Sequence, residues 1–393
     1  MSARFWCLAS VHHVVVVVAM VWLVRSRARR ESLGASGTKA LAELVGMLVV
    51  LGVVATGSSW IASRELSDQS FAFVRLLAQV AFGEAPLALA WSAWTLRKAG
   101  FGRLALVPGI AAVGLLAVYV DAYHVEPFRL VVERHQVPVR GLQAPFQIVH
   151  LSDIQAWKAG QSERRALRQA MREAPDLIVL TGDYLQSRNT DSTDSDIEAL
   201  RTLFREEGVT ARLGVFAVWG NCDRDSRHLF DGLPVHVLEN EVARVALPGG
   251  DTLAIVGLEW RTSMSPGSRE LARLFRKVRP GDHCIVLGHA PDYGEEVARS
   301  FDVDLMFAGH THGGQVALPF FGPPITLSRA PRMVAAGGLT EVNGVPMNVS
   351  RGTGMERGSA PQLRFLCPPE LSVLELTSGT KRAARESSKG LLE

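Results

Sequence analysis

The sequence predicts an N-terminal α-helical transmembrane region followed by an α/β domain, and three observations predict it. Composition shifts near residue 125, from a third rich in Val, Leu, Ala, Trp and Phe to the mixture of a globular protein. Four apolar stretches lie before that point. Beyond it, short apolar runs alternate with amphipathic ones, as in sheets buried beneath helices. A length of 393 residues allows two domains. A net charge of +3 gives no sign of a nucleic-acid partner. The four cysteines, Cys7, Cys222, Cys284 and Cys367, include no CxxC pair. That argues against a disulfide framework and against a cysteine-ligated zinc site.

A membrane-spanning helix needs about 20 mostly apolar residues. Residues 5–24, 41–62, 71–96 and 104–123 meet that length, so 1–125 reads as a transmembrane region of about four helices. The first ends in Arg25, Arg27, Arg29 and Arg30, not in a small-residue cleavage site, which separates it from a signal peptide. The third contains Arg75, Glu84 and Pro86 and is the least regular. The loops after the first and third spans are basic, the latter through Arg97, Lys98 and Arg103, whereas the second loop has only Arg64. The positive-inside rule places the two basic loops in the cytoplasm. With four spans both termini then face outward. The reading is an integral cell-membrane protein with an extracytoplasmic C-terminal domain. Glu84 within a span either marks a transport path or faces neighbouring helices.

Residues 126–144 read as an extended linker, with Pro127, Pro138 and Gly141, and 378–393 as a disordered polar tail. Between them, 145–377 forms the α/β domain. Strands are predicted at 147–153, 176–180, 213–219, 253–258, 283–287 and 303–307, and helices at 162–173, 196–207 and 268–278. Five of the strands run into Asp153, Asp183, Asn221, His289 and the pair His310 and His312. In open α/β sheets, ligands bind beyond the carboxyl ends of the strands. These six side chains are oxygen and imidazole donors suited to Mn, Fe or Zn. Gly182, Gly220, Gly288 and Gly309 directly precede site residues, allowing backbone turns that other residues resist.

This order resembles the calcineurin-like metallophosphoesterase family, whose pattern is Asp-x-His, Gly-Asp, Gly-Asn-His-Asp/Glu, Gly-His and Gly-His-x-His. Here it reads Asp153-Ile-Gln155, Gly182-Asp183, Gly220-Asn221-Cys222-Asp223, Gly288-His289 and Gly309-His310-Thr311-His312. The resemblance covers residues 146–376. Stretches 312–320 and 349–354, with Pro369-Glu370, look like its membrane-associated bacterial phosphodiesterase branch. It implies a four-layer αββα sandwich and a phosphoric ester hydrolase working with two metal ions. By the same resemblance Asp183 bridges both metals, Asp153 and His312 complete the first site, and Asn221, His289 and His310 complete the second. A hydroxide held between the metals is then the nucleophile. Asp183, Asn221, Cys222 and Asp223 are the catalytic candidates.

Two residues depart from the pattern. Gln155 stands where the family has His. Its neutral carbonyl oxygen either ligates a metal directly or binds through water. Cys222 stands where the family has the His that assists the leaving group. A thiol with a reference pKa of about 8.5 is a poor acid for that task at neutral pH. The expected substrate is therefore a phosphodiester or pyrophosphate in preference to an alkyl monoester. The bland reading of Cys222 is a small buried residue at a strand end. His150 and His283 read as structural, and Arg224 and Arg351 as weak candidates for a phosphate contact.

Two alternatives stand beside the hydrolase. One is a metal-binding membrane scaffold weakened by Gln155 and Cys222. The other is a transporter with a regulatory phosphoesterase-like domain, resting on Glu84. Membrane attachment points to a phosphorylated small-molecule or lipid-linked substrate.

Overall fold

A computed structural model describes residues 69–98, 100–157, 159–186, 193–356 and 360–379, with shorter stretches at 9–12, 14–16, 18, 46, 49–50 and 52–61. The first two expected spans lie partly, and the tail beyond 379 wholly, outside the described residues. The chain forms two compact units, Met1–Val125 with Glu356–Gln362, and Glu126–Met355 with Leu363–Glu393.

In the first unit, α1 (Gln69–Gln79), a π-helical turn (Val80–Glu84) and α2 (Ala85–Lys98) run as one helix. The π turn directly precedes Pro86, whose missing N–H and ring an undisturbed α-helix does not accommodate. The next helix, α3 (Gly102–Val120), continues through short turns to Phe128. Phe73–Lys98 and Gly102–Phe128, of 26 and 27 residues, are long and apolar enough to cross a bilayer. Leu87, Trp94, Leu106, Ile110 and Val113 are exposed on them, unlike the side chains of a soluble core helix. The third and fourth expected spans fall on these two helices.

The second unit is built on two six-stranded sheets. The first has the order β1-β12-β2-β3-β4-β5, with β1 at Val131–Val139, β2 at Phe146–Leu151, β3 at Leu177–Leu180, β4 at Val215–Ala217, β5 at Val235–Val237 and β12 at Glu370–Ser378. The second has the order β10-β11-β9-β8-β7-β6, with β6 at Glu241–Ala246, β7 at Thr252–Gly257, β8 at His283–Leu287, β9 at Leu305–Ala308, β10 at Gly338–Val342 and β11 at Val345–Val349. β2 to β5 are mutually parallel, as are β7, β8, β9 and β11.

Strand alternation sorts the side chains into layers. Phe146 and Ile148 of β2 join Leu177, Val179, Leu253, Ile255, Ile285 and Leu305 in a core between the sheets. Their neighbours Val149 and Leu151 face the other way, against Leu167 and Ala170 of α4 (Gln161–Arg172) and Leu200 and Phe204 of α5 (Thr193–Glu206). On the far side, Val286 and Met306 pack with Leu271 and Leu274 of α7 (Ser268–Phe275) and Val297 of α8 (Gly294–Ser300). The short α6 (Trp260–Met264) lies between β7 and α7 in sequence, and α9 (Arg332–Ala335) precedes β10. The result is a helix–sheet–sheet–helix arrangement in which each fully buried Leu or Ile contributes about 1.5–3 kcal/mol.

The stretch expected to be a linker is corrected. Val131–Val139 is a nine-residue strand pairing in parallel with Glu370–Ser378. It lies at a sheet edge, where proline is tolerated because the open side requires no donor. Pro138 therefore marks an edge strand here and not a linker.

Candidate metal centre

β2, β3 and β4 of one sheet and β8 and β9 of the other deliver their following loops to one place. Donor atoms of Asp153, Asp183 and His289 all lie within 4.8 Å of one another. His312 Nε2 is 3.3 Å from Asp153 Oδ1, and His289 Nε2 is 3.4 Å from Asp183 Oδ2. His289 Nε2 is also 3.2 Å from Asn221 Oδ1, and the rings of His289 and His310 lie 5.1 Å apart. All six residues expected at the strand ends thus converge. Gln155 joins them through its amide nitrogen, which donates to Asp183 Oδ2 at 3.1 Å and lies 3.5 Å from His312 Nε2. In this orientation the amide donates; the opposite one would offer Oε1 to a cation.

The backbone is bent to achieve this. Asp153, Gln155, Asp183, His310 and His312 have φ of 50°, 49°, 54°, 69° and 49°. Each such conformation costs of order 1–3 kcal/mol, and strain of this kind collects at functional sites. Backbone bonds hold it in place: Asp153 N–H to the Gly182 carbonyl, Gln155 N–H to that of Asp183, and Gly309 N–H to that of His289, at 2.8–2.9 Å.

A second layer aims the side chains. The His289 Nδ1–H donates to the Thr181 carbonyl at 2.6 Å, leaving Nε2 directed at the carboxylates. Ser152 Oγ donates to Asp153 Oδ2 at 2.5 Å, and the Leu327 backbone carbonyl faces the His310 ring. The Cys222 N–H donates to Asp183 Oδ1 at 2.8 Å. Trp260 forms a wall, its ring 4.9 Å from that of His310 and 5.3 Å from that of His289.

The electrostatics ask for a cation. Burial opposes charge on His289, but Asp183 and Asp153 outweigh it and raise its pKa to about 10. Burial also works against the Asp183 carboxylate; His289 and the Cys222 N–H overcome that and hold it well below the usual range. Asp153 is pushed up to about 7 by burial, with His289 opposing and Asp183 adding to the rise. His310 is lowered to about 4 by burial and by His289, and His312 falls well below its usual value through burial and Arg364. The neutral imidazoles of His310 and His312 beside crowded carboxylates offer donors to a divalent metal, whose charge would displace the proton that His289 otherwise holds. His312 Nδ1 is buried without a hydrogen-bond partner among the described residues, so its ring has capacity for a further ligand.

The remaining candidates separate by position. Asn221 is exposed and Cys222 half-buried at the rim. Asp223 is fully buried, and its two oxygens accept from the N–H groups of Asp183, Gly220 and Tyr184 at 2.7–2.8 Å. It braces the turns and faces no substrate. Arg351 pairs with Glu370 at 2.7 Å and with Glu133, so its guanidinium is occupied away from any phosphate. Arg224 is exposed. His150 is buried between the sheets, with Nδ1 2.6 Å from Asn348 Oδ1 and Nε2 2.8 Å from Thr181 Oγ1. His283 lies 3.5 Å from Asp304 and 3.7 Å from Asp251 at a strand start. Sequence reading missed Ser152, Thr181, Trp260 and Arg364. Ser152 and Thr181 adjoin motif residues, which is a usable signal; Trp260 and Arg364 have none.

Gly309 is required for space. A Cβ there would lie 1.9 Å from Ser152 Oγ and 2.2 Å from Asp153 Oδ2. Gly309→Ala is expected to weaken Mn²⁺ binding, read by calorimetric titration, by roughly ten-fold or more, with unchanged circular dichroism. Wild-type affinity in this variant would show that the turn tolerates the displacement.

The calcineurin-like phosphoesterase family model matches residues 146–314. The chain is 28% identical over 290 residues to the uncharacterized metallophosphoesterase YkuE of Bacillus subtilis (strain 168), covering 72% of this chain and 96% of the relative. It is 32% identical over 244 residues to the phosphodiesterase YaeI of Escherichia coli (strain K12), covering 59% of this chain and 83% of the relative. Among solved structures, a dimetal phosphatase from Danio rerio matches with a TM-score of 0.32 and 14% identity, over 53% of this chain and 88% of that one.

Proposed function

Because the chain belongs to the calcineurin-like phosphoesterase family, we propose that it is a membrane-anchored hydrolase cleaving a phosphodiester or pyrophosphate bond at a two-metal site. The observation that carries this is the convergence of Asp153, Asp183 and His289 with Asn221, His310 and His312 at the carboxyl ends of five strands. Asp183 is central: its Oδ2 faces both His289 and the Gln155 amide, the position from which it would be shared between two metals. Asp153, His312 and Gln155 serve one metal, and Asn221, His289 and His310 the other. Bound divalent ions such as Mn, Fe or Zn supply an activated water and neutralise phosphoryl charge. The protein's own work is orientation. Thr181 fixes the tautomer of His289 through its carbonyl, and the exposed Asn221 amide reaches toward an incoming phosphoryl oxygen. The relative YaeI, named a phosphodiesterase, supports the bond class.

Cys222 narrows that class further. It sits at the rim beside Asn221, whose Nδ2 is 3.4 Å from its Sγ. No imidazole stands there to protonate a poor leaving group, so esters with good leaving groups are favoured. Cys222→His is expected to raise alkyl monoester turnover by roughly a hundred-fold and to leave aryl diester turnover nearly unchanged. Equal gains on both substrates would remove Cys222 as the determinant.

The membrane anchor is supported by the two long apolar helices, whose outward faces are apolar. Exposed Trp91 and Trp94 lie 5.0 Å apart with their rings tilted by 44° near the end of α2, and Lys98 lies 5.6 Å from the Trp94 ring, the aromatic and basic composition of an interface anchor. With four spans the hydrolase domain is extracytoplasmic and meets a lipid-linked or small phosphorylated substrate.

The test is hydrolysis of bis(p-nitrophenyl) phosphate by the full-length chain in detergent, after chelation and after resupply of Mn, Zn or Fe. Metal-dependent turnover is the expected result. Two metals bound per chain without turnover by any of them would overturn the enzyme and leave a metal-binding scaffold.

A further inference from the structure

The segment that follows His312 carries a surface unlike the rest of the second unit. Leu318, Phe320, Phe321, Ile325, Leu327 and Met333 are all exposed, Phe320 completely. In 318–333 the only charged residues are Arg329 and Arg332, both exposed, and no carboxylate is present. The tip is a closed turn. Leu318 and Gly322 exchange backbone hydrogen bonds of 2.9 Å, and Phe320 is held at a φ of 65° that turns it outward. The Arg332 guanidinium lies 4.3 Å over the Phe321 ring.

The base of the segment is fastened to the metal centre. A Cβ on Gly314, two residues after His312, would lie 2.5 Å from the Ile325 carbonyl oxygen and 2.6 Å from Pro323. The Leu327 carbonyl faces the His310 ring. Ser328 Oγ and the Arg329 N–H both donate to Asp292, at 2.7 and 2.9 Å. The apolar tip and the ligand His310 therefore belong to one braced piece of structure.

We propose that 318–333 is a membrane-docking loop that inserts Phe320 and its apolar neighbours into an anionic lipid interface. It thereby sets the metal centre at headgroup depth, against phosphate esters borne on lipids. Three observations select a bilayer as the occupant. Large apolar side chains project from a rigid turn, giving up little conformational freedom on insertion. The stretch holds two arginines and no carboxylate of its own, and Arg332, set over the Phe321 ring at the apolar tip, matches anionic headgroups, whereas Arg329 sits beside Asp292 at the base. The same chain carries two bilayer-length apolar helices, the second ending at Phe128 just before β1 begins at Val131. The substrate part of this inference rests on the phosphoesterase reading above; the docking part does not.

The experiment uses the full-length chain reconstituted in phosphatidylcholine bilayers with and without phosphatidylglycerol. Phe320→Cys carries a nitroxide, and the identically treated wild type gives the background from the four native cysteines. Power saturation compares collision with oxygen and with a water-soluble nickel chelate. Docking predicts oxygen access and nickel exclusion in anionic bilayers. It also predicts that Arg332→Glu lowers the docked-to-free ratio by roughly five-fold or more. A label open to nickel in anionic bilayers overturns the proposal. So does a protected label with dipolar broadening, which identifies a second copy as the occupant. Met333→Cys repeats the measurement should the first variant fail to fold. Diester turnover is measured on the same samples. Docking without turnover removes the phosphoesterase reading alone, and turnover with a water-exposed loop removes docking alone.

Discussion

Asp183→Asn is expected to lower kcat/KM for an aryl phosphodiester by roughly a thousand-fold or more at saturating Mn²⁺, with the fold retained. The substitution conserves volume and removes one charge from the centre of the cluster. In the native chain one Asp183 oxygen accepts the Cys222 N–H at 2.8 Å, and the other faces Gln155 at 3.1 Å and His289 at 3.4 Å. An asparagine amide can still accept the Cys222 N–H through its oxygen. Its NH₂ then points at the Gln155 amide and His289, where it repels a cation. Metal content should fall together with turnover. Turnover within about ten-fold of wild type would mean that Asp183 is not shared between two metals. Loss of turnover with both metals retained would assign it to substrate orientation instead.

The cluster of donor side chains is legible in the sequence because its members follow buried β-branched runs. Val149-His-Leu-Ser-Asp153 and Ile178-Val-Leu-Thr-Gly-Asp183 show a strand and its functional terminus in one glance. The geometry behind the glycines was only half legible. Gly182 has a positive φ, but Gly220 and Gly309 are needed because a Cβ would strike Asp183 or Ser152. Those neighbours come from other strands, which no local pattern reports. Val131–Val139 was hidden for the same reason. Its partner β12 lies far along the chain, as the bond from Gln136 to Glu375 across 239 positions shows, and although burial alternates from Glu133 to Val139, two of the inward positions carry Glu133 and His135, so the sequence shows no apolar alternation. Asp223 belongs to a motif, and its neighbours in sequence gave no sign that its oxygens are consumed by three backbone N–H groups. Of the docking loop only 318–320 falls in a family-like stretch of the sequence, 312–320; its exposure is a tertiary property.

Arg364→Met is expected to destabilise the second unit by about 2–4 kcal/mol and to lower metal affinity as well. Arg364 is fully buried, yet no carboxylate pairs with it among the described residues. Its guanidinium donates to the carbonyls of Arg351, Gly352, Gly354 and Cys367, at 2.5–3.4 Å. The carbonyls of Arg351, Gly352 and Gly354 lie on the turn that clamps the first motif. The Thr353 N–H donates to the Ser152 carbonyl at 3.0 Å, and the Gly354 N–H to that of Asp153 at 2.8 Å. Removing the guanidinium leaves several buried carbonyls without donors, each costing about 1–3 kcal/mol. Methionine escapes the guanidinium's own desolvation, which offsets part of that sum. For a domain of this size the net loss lowers Tm by roughly 4–16 °C. A general loss of packing would lower Tm alone. A clamp acting on Asp153 lowers Mn²⁺ affinity by roughly ten-fold or more even well below Tm. Lysine, with a single point of donation in place of a planar fork, should recover only part of either effect. Wild-type metal affinity in a destabilised Arg364→Met chain would confine Arg364 to stability and leave the strained Asp153 turn to be held by backbone bonds alone.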